Sequence, residues 1–227
     1  FQLKDFKKIK VKTKYNKKVN NDFIIENKKS IKIKGSIFDA STLLEEIDSN
    51  ENKNNFLKKI TKNIEIDFNK VMTSTDIPLN DFRLVGLIKK GSLEKISAKS
   101  EFSKDRFLDI SLKKEKKTNS SVLEIYSDEA KPLVNSYEFF EGLEGGDLNF
   151  KSTFGSEFSS SNLTINNFKL NKAPALAKIL SLADLKGLTD TLKGDGISFD
   201  TLSAKYNSDS SQMKIDEIFM IGPSISI

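Results

Sequence analysis

The chain has 227 residues, with 37 Lys and Arg against 32 Asp and Glu, a formal net charge of +5 and a pI near 9.1. It has no Cys and no His, which removes disulfides, thiolate chemistry and the commonest general base and metal ligand. At 37% hydrophobic and 30% charged, it is lean in apolar residues, so an open or single-layer architecture is easier to satisfy than a thick double-layer core.

In chain order, Ile9, Val11, Thr13 and Tyr15 alternate with Lys10, Lys12 and Lys14, and Ile31 and Ile33 alternate with Lys32 and Lys34. The same period of two returns at Ile64, Ile66 and Phe68, at Phe82 and Leu84, at Ile96, Ala98 and Phe102, and at Leu108, Ile110 and Leu112. A turn-rich KKEKKTNSS follows. Beyond it come Leu148, Phe150 and Phe154, then Leu163 and Ile165, Ile197 and Phe199, Leu202, Ala204 and Tyr206, and Met213 and Ile215. Alternation bounded by Asn, Ser, Gly and Lys clusters predicts antiparallel strands with one wet face. Lysines at alternate strand positions read as that wet face rather than as a nucleic-acid patch. Arg occurs only at Arg83 and Arg106, whereas nucleic-acid readers favour its bidentate fork.

Helical candidates interrupt the strands. DASTLLEEIDSN sets Leu43, Leu44 and Ile47 on one side, with Asp39 or Ser41 able to cap; NKNNFLKKITKN is a weaker case. SDEAKPLVNSYEFFEGLEGG predicts an acidic first turn carrying Pro132 and an end at glycines. The Ala- and Leu-rich stretch after Asn171 predicts two helices. Ala175, Leu176, Ile179 and Leu180 stripe the first; Leu185, Leu188 and Leu192 stripe the second, with Asp184 as cap and Gly194 as close. Such a pair fits a cover over one end of a sheet, being too short to span a bilayer.

Gly-Gly in LEGGDLNF and Asp-Gly in KGDGISF read as hairpin or loop residues; neither has the strand, Gly-rich turn and helix order of a phosphate loop. FGSEFSSSN reads as a turn. No 12-residue loop of alternating oxygen ligands suggests calcium. The residues therefore predict no catalytic group, no cofactor and no metal. A pattern of apolar-x-apolar-x-x-Phe recurs in IEIDFNKV, LNFKSTF and LTINNFKL without a fixed period.

The segments NLTINNFKLNKAPALAKILSLADLKGLTDTLKGDGISFDTLSAKY and QMKIDEIFMIGPSISI resemble the C-terminal region of large AsmA-like proteins of the YhdP/TamB type. The matching elements are Ala173–Leu180, Ala183–Leu188, Gly194–Phe199 and Gly222–Ser224. The resemblance is tight over Asn162–Ile227, fair over Ser127–Phe154 and loose before that. Lys and Asn replace much of the family's Arg and Leu, so exposed-face details do not transfer.

The resemblance implies a periplasmic segment of a protein tethered to the inner membrane by a part outside this chain, which opens at Phe1 and reads as a fragment. It implies one domain over 1–227, with 127–227 the family-like region and 1–126 a looser match. The expected fold is mainly β: an open, rolled, curved antiparallel sheet forming a groove, with short helices including the two-helix insert. The expected function is non-catalytic, with phospholipid acyl chains conducted between inner and outer membranes, no nucleic acid and a monomeric state. Groove candidates are Ile64, Ile66, Phe68, Leu148, Phe150, Leu163, Ile165, Ile197 and Phe199 on the concave face, and Leu176, Ile179, Leu180, Leu185 and Leu188 on the insert. The alternative is a structural or assembly scaffold in outer-membrane biogenesis, its core packed shut by side chains and holding no lipid.

Overall fold

The computed structural model describes residues 6–42, 61–115, 118, 120–155, 158–171, 196–209, 211–223 and 226. Among them lie twelve strands. β1 (Lys8–Tyr15), β2 (Lys18–Asn27), β3 (Ile31–Asp39), β4 (Lys62–Met72), β5 (Leu79–Lys89), β6 (Ser92–Ser103) and β7 (Arg106–Lys114) belong to one compact unit, Phe1–Lys116. β8 (Ser121–Ser127), β9 (Leu143–Phe154), β10 (Phe158–Leu170), β11 (Ile197–Asp209) and β12 (Met213–Ile221) belong to a second, Lys117–Ile227. Within each unit the strands neighbour one another in chain order.

The predominance of β structure follows the alternation in the sequence. Short turns close several hairpins. Asn16–Lys17 and Lys90–Gly91 take positive φ at both central residues, the twist that suits two-residue hairpin loops. One pairing departs from the antiparallel expectation: β3 and β4 run parallel, Ile31 opposite Ile64 and Ile33 opposite Ile66. The sheet of the first unit is therefore mixed. Residues 40–61 separate these two strands, and a connection of a dozen residues or more is what lets successive strands point the same way.

Of the helical candidates, SDEAKPLVNSYEFFEGLEGG forms only one α-turn, α1 (Lys131–Val134), and a 3-10 turn at Glu138–Phe140. Pro132 sits in the first turn, as its fixed φ and missing N–H allow. The acidic first turn is absent, because Asp128 and Glu129 precede the Ala130 cap. Gly145 and Gly146 do not end a helix or close a loop; both lie inside β9. FGSEFSSSN divides: Gly155 N–H donates to the Phe158 carbonyl, while Ser159–Ser161 belong to β10. The two-helix insert falls on residues 172–195, outside the described residues, as does 43–60 of the two earlier candidates. Lys62 and Asn63, the end of NKNNFLKKITKN, begin β4. No helix among the described residues is long and apolar enough to cross a membrane.

The wet face is a ladder of opposite charges. Lys8–Glu26, Lys12–Asp22, Lys32–Glu65, Lys34–Asp67, Lys99–Asp109, Lys151–Glu124 and Lys205–Glu217 are ion pairs of 2.5–3.6 Å. Each joins residues directly opposed across neighbouring strands. Exposed pairs of this kind stabilise little individually, but opposite charges in register favour this strand pairing over a slipped one.

On the other face the alternation slips at a matching place in each unit. In β4 and β5, Phe68 faces Phe82 and Val71 faces Leu79, so the apolar positions on each strand are three apart. Asp81, between Leu79 and Phe82, has φ 49°. In β10 and β11, Phe168 faces Phe199 and Ile165 faces Leu202, and Asn167 has φ 53°. The same device is thus written twice: Phe-Asn-Lys-Val against Leu-Asn-Asp-Phe, and Phe-Asp-Thr-Leu against Ile-Asn-Asn-Phe. Asn and Asp are the non-glycine residues that best tolerate the left-handed region. One such residue changes the phase, so that both flanking apolar side chains join one face.

Candidate functional site

In the first unit a row of aliphatic residues crosses every strand. Ile9, Ile25, Ile33, Ile66, Leu84, Ala98 and Ile110 stand directly opposite one another from β1 to β7. Seven strands at the usual spacing make this row roughly 29 Å long. A second row, Val11, Phe23, Gly35, Phe68 and Phe82, lies beside it. There Phe38 stacks on Phe68 at 5.3 Å, and Phe23 meets both rings edge-on. Gly35 sits between Phe23 and Phe68 because a Cβ there would collide with the Asp22 carbonyl and Phe23. On the other side run Ile31, Ile64, Gly86, Ile96 and Leu112. Phe68, Ala98, Leu108 and Leu112 are buried, but the rest of the aliphatic row is only half-buried.

The second unit has the same kind of face in a different state. Leu143, Leu148, Ile165, Phe168, Leu170, Ile197, Phe199, Leu202 and Met220 are almost wholly buried and form one cluster. Phe168 and Phe199 stack at 5.3 Å. The β8–β9 connection contributes Ala130, Val134 and Phe140 to that cluster, with Leu133 and Phe139 packed against it. Ala130 N–H donates to the Gly146 carbonyl at 2.9 Å and holds the connection to β9. Gly146 has φ +86°, and a Cβ there would press on Phe168 and Ile165, so glycine lets β9 lie close beside β10 where Asn167 shifts the phase. Full burial of each such side chain contributes roughly 1.5–3 kcal/mol.

Towards the far end of the same face the lining turns polar. Ser161 donates to Ser152 at 2.9 Å, both buried, and Tyr206 stands opposite Ser161. Burial raises the Tyr206 hydroxyl above its ordinary value, against a hydrogen bond with Ser161 that lowers it.

The candidate residues divide accordingly. Ile64, Ile66 and Phe68 share the first unit's apolar face. Leu148, Phe150, Leu163, Ile165, Ile197 and Phe199 are brought together in the second. Ile165 at 0%, Leu148 and Phe199 at 2% and Ile197 at 4% exposure are filled by their own neighbours, while Ile64, Ile66, Phe150 and Leu163 keep partial exposure. Leu176, Ile179, Leu180, Leu185 and Leu188 lie outside the described residues. Sequence reasoning missed Ile25, Ile33 and Leu84 as partners of Ile66, and Phe168 and Leu202 as partners of Phe199. Phe168 and Leu202 had a legible signal, a spacing of three about Asn167 and Asp200; the registers joining the others did not. Among the described residues no group of three or more Asp or Glu is placed to hold a metal ion. Comparison with protein-family models, with curated proteins and with solved structures returned no match.

Proposed function

We propose that the chain is a non-catalytic segment of a bridge-like lipid transfer protein, and that the apolar face of its first unit carries acyl chains. The aliphatic row across β1–β7 is the observation that supports this. It is continuous from strand to strand, half-buried except at Ala98, and backed by a charged face that faces water. A row of roughly 29 Å matches the thickness of a bilayer's hydrocarbon core. In this reading the sheet is strongly curved, the row lines its concave side, and lipid slides from strand to strand across it. The resemblance of Asn162–Ile227 to AsmA-like C-terminal regions supports a periplasmic setting between inner and outer membranes. The filled core of the second unit favours the scaffold reading for that unit, with Val134 and Phe140 occupying the space an acyl chain would need.

Native mass spectrometry of protein purified without detergent tests the reading. Co-purified lipid is expected, and Ile66→Asp, a charge in the middle of the row, should abolish it while leaving the circular dichroism spectrum unchanged. A chain that never carries lipid and does not bind a fluorescent fatty acid is a scaffold instead.

A further inference from the structure

Many lysines of the strand faces sit in ion pairs, whereas several at one end of the first unit have no carboxylate partner among the described residues. β2 and β3 are joined there by Lys28, Lys29 and Ser30, β4 starts at Lys62, and β5 turns into β6 through Lys89, Lys90 and Gly91. Three hydrogen bonds tie these segments together. The Lys62 ammonium donates to Asn27 Oδ1 at 2.5 Å and to the Lys28 carbonyl at 2.8 Å. Lys90 N–H donates to Thr61 Oγ1 at 3.1 Å. Glu26 at this end is shared by Lys8 and Lys28, and Glu94 by Lys114. Lys29, Lys62, Lys89 and Lys90 have no carboxylate within ion-pair distance among the described residues. On the outer face of the same end, Lys95 stands directly opposite Lys113, a like-charge pair that costs stability.

Lys62 also shares the phase of Ile64 and Ile66 on β4, so the positive rim borders the apolar face. Resting on the acyl-chain reading above, we propose that this rim receives the headgroup, and that the ligand is a phospholipid of net negative charge. An ammonium fan beside an apolar wall suits a phosphate whose tail lies on that wall. Nucleic acid fits less well, since residues 27–31, 61–64, 87–93 and 112–115 contain neither Arg nor an aromatic residue, the groups that grip phosphates bidentately and stack bases.

The experiment measures extraction of fluorescent phosphatidylglycerol and fluorescent phosphatidylcholine from vesicles by the whole chain and by K29Q/K62Q/K89Q/K90Q. A second variant, K89Q/K90Q, changes only two exposed residues at the β5–β6 hairpin end and guards against misfolding. The wild type should prefer phosphatidylglycerol by on the order of tenfold at low salt, and lose the preference at high salt. The quadruple variant should extract both lipids equally, at the wild-type level for phosphatidylcholine, with the double variant between. Equal extraction of both lipids by the wild type overturns the headgroup assignment and leaves the acyl-chain reading standing. Extraction of neither removes both. Displacement of phosphatidylglycerol by a short single-stranded oligonucleotide at similar concentration also overturns it, in favour of a nucleic-acid rim.

Discussion

Asn171 shows how tightly single residues are held where β10 ends. Its N–H donates to the Gly142 carbonyl at 2.9 Å, and its Oδ1 is buried with no hydrogen-bond partner among the described residues. Gly196 has φ +80°, and a Cβ there would collide with Asn171 Oδ1 and come within 2.7 Å of the Leu170 carbonyl. Gly196→Ala should therefore cost about 1–3 kcal/mol, from backbone strain and the clash together, read as a lower urea midpoint. Asn171→Ala removes an acceptor that is already unsatisfied and should cost much less. Asp39 offers a test by pH. Its carboxylate accepts from the Ser41 hydroxyl at 2.6 Å and from the Ser41 N–H at 3.1 Å. The hydroxyl hydrogen bond is the largest influence and holds the carboxyl below its ordinary value, against partial burial that raises it. A depressed folded value means stability present above the unfolded value, near 3.9, and lost as pH falls through the folded one. Titration followed by NMR should place Asp39 below that ordinary value, and Ser41→Ala should move it upward; no movement would remove Ser41 as the cause.

Among the elements, the slipped strands carry the most specific expectation. Asn167 at φ 53° is tolerated because a short polar side chain lowers the cost of the left-handed region. A β-branched residue pays that cost in full, roughly 1–2 kcal/mol. Asn167→Val should destabilise by about that amount and Asn167→Gly should be near neutral, both measured by denaturant unfolding. Asp81 should behave in parallel in the other unit. Equal effects of Val and Gly at both positions would mean that the left-handed backbone does not set the phase.

Over the whole molecule, the two units differ in how their apolar faces are satisfied. Leu202 at 0% exposure sits in a filled core, and Leu202→Ala should cost about 2–5 kcal/mol. Ile66 is half-buried, and its truncation should cost nearer 1 kcal/mol while lowering acyl-chain binding. The two units are compact by themselves, so in hydrogen exchange Leu202→Ala should lower protection in β9–β11 and leave β3–β5 unchanged. A loss of protection spread evenly over both would show a single cooperative block.

Away from the slips at Asp81 and Asn167, strand phase was determined by the sequence alone. A residue's side of a strand depends only on its neighbours two places away, so Ile64, Ile66, Leu148, Phe150, Leu163 and Ile165 could be set on apolar faces without a structure. The pairing of wet-face lysines with acids, the parallel union of β3 with β4, and the row from Ile9 to Ile110 were decided only by tertiary structure, because each depends on which strand lies alongside. So was the difference between filled and half-open faces. Val134 and Phe140 join the cluster around Ile165 through a connection whose path no local period describes. The lysines at Lys29, Lys62, Lys89 and Lys90 look alike in sequence to those of the strands, and only the folded chain separates a neutralised ladder from a positive rim.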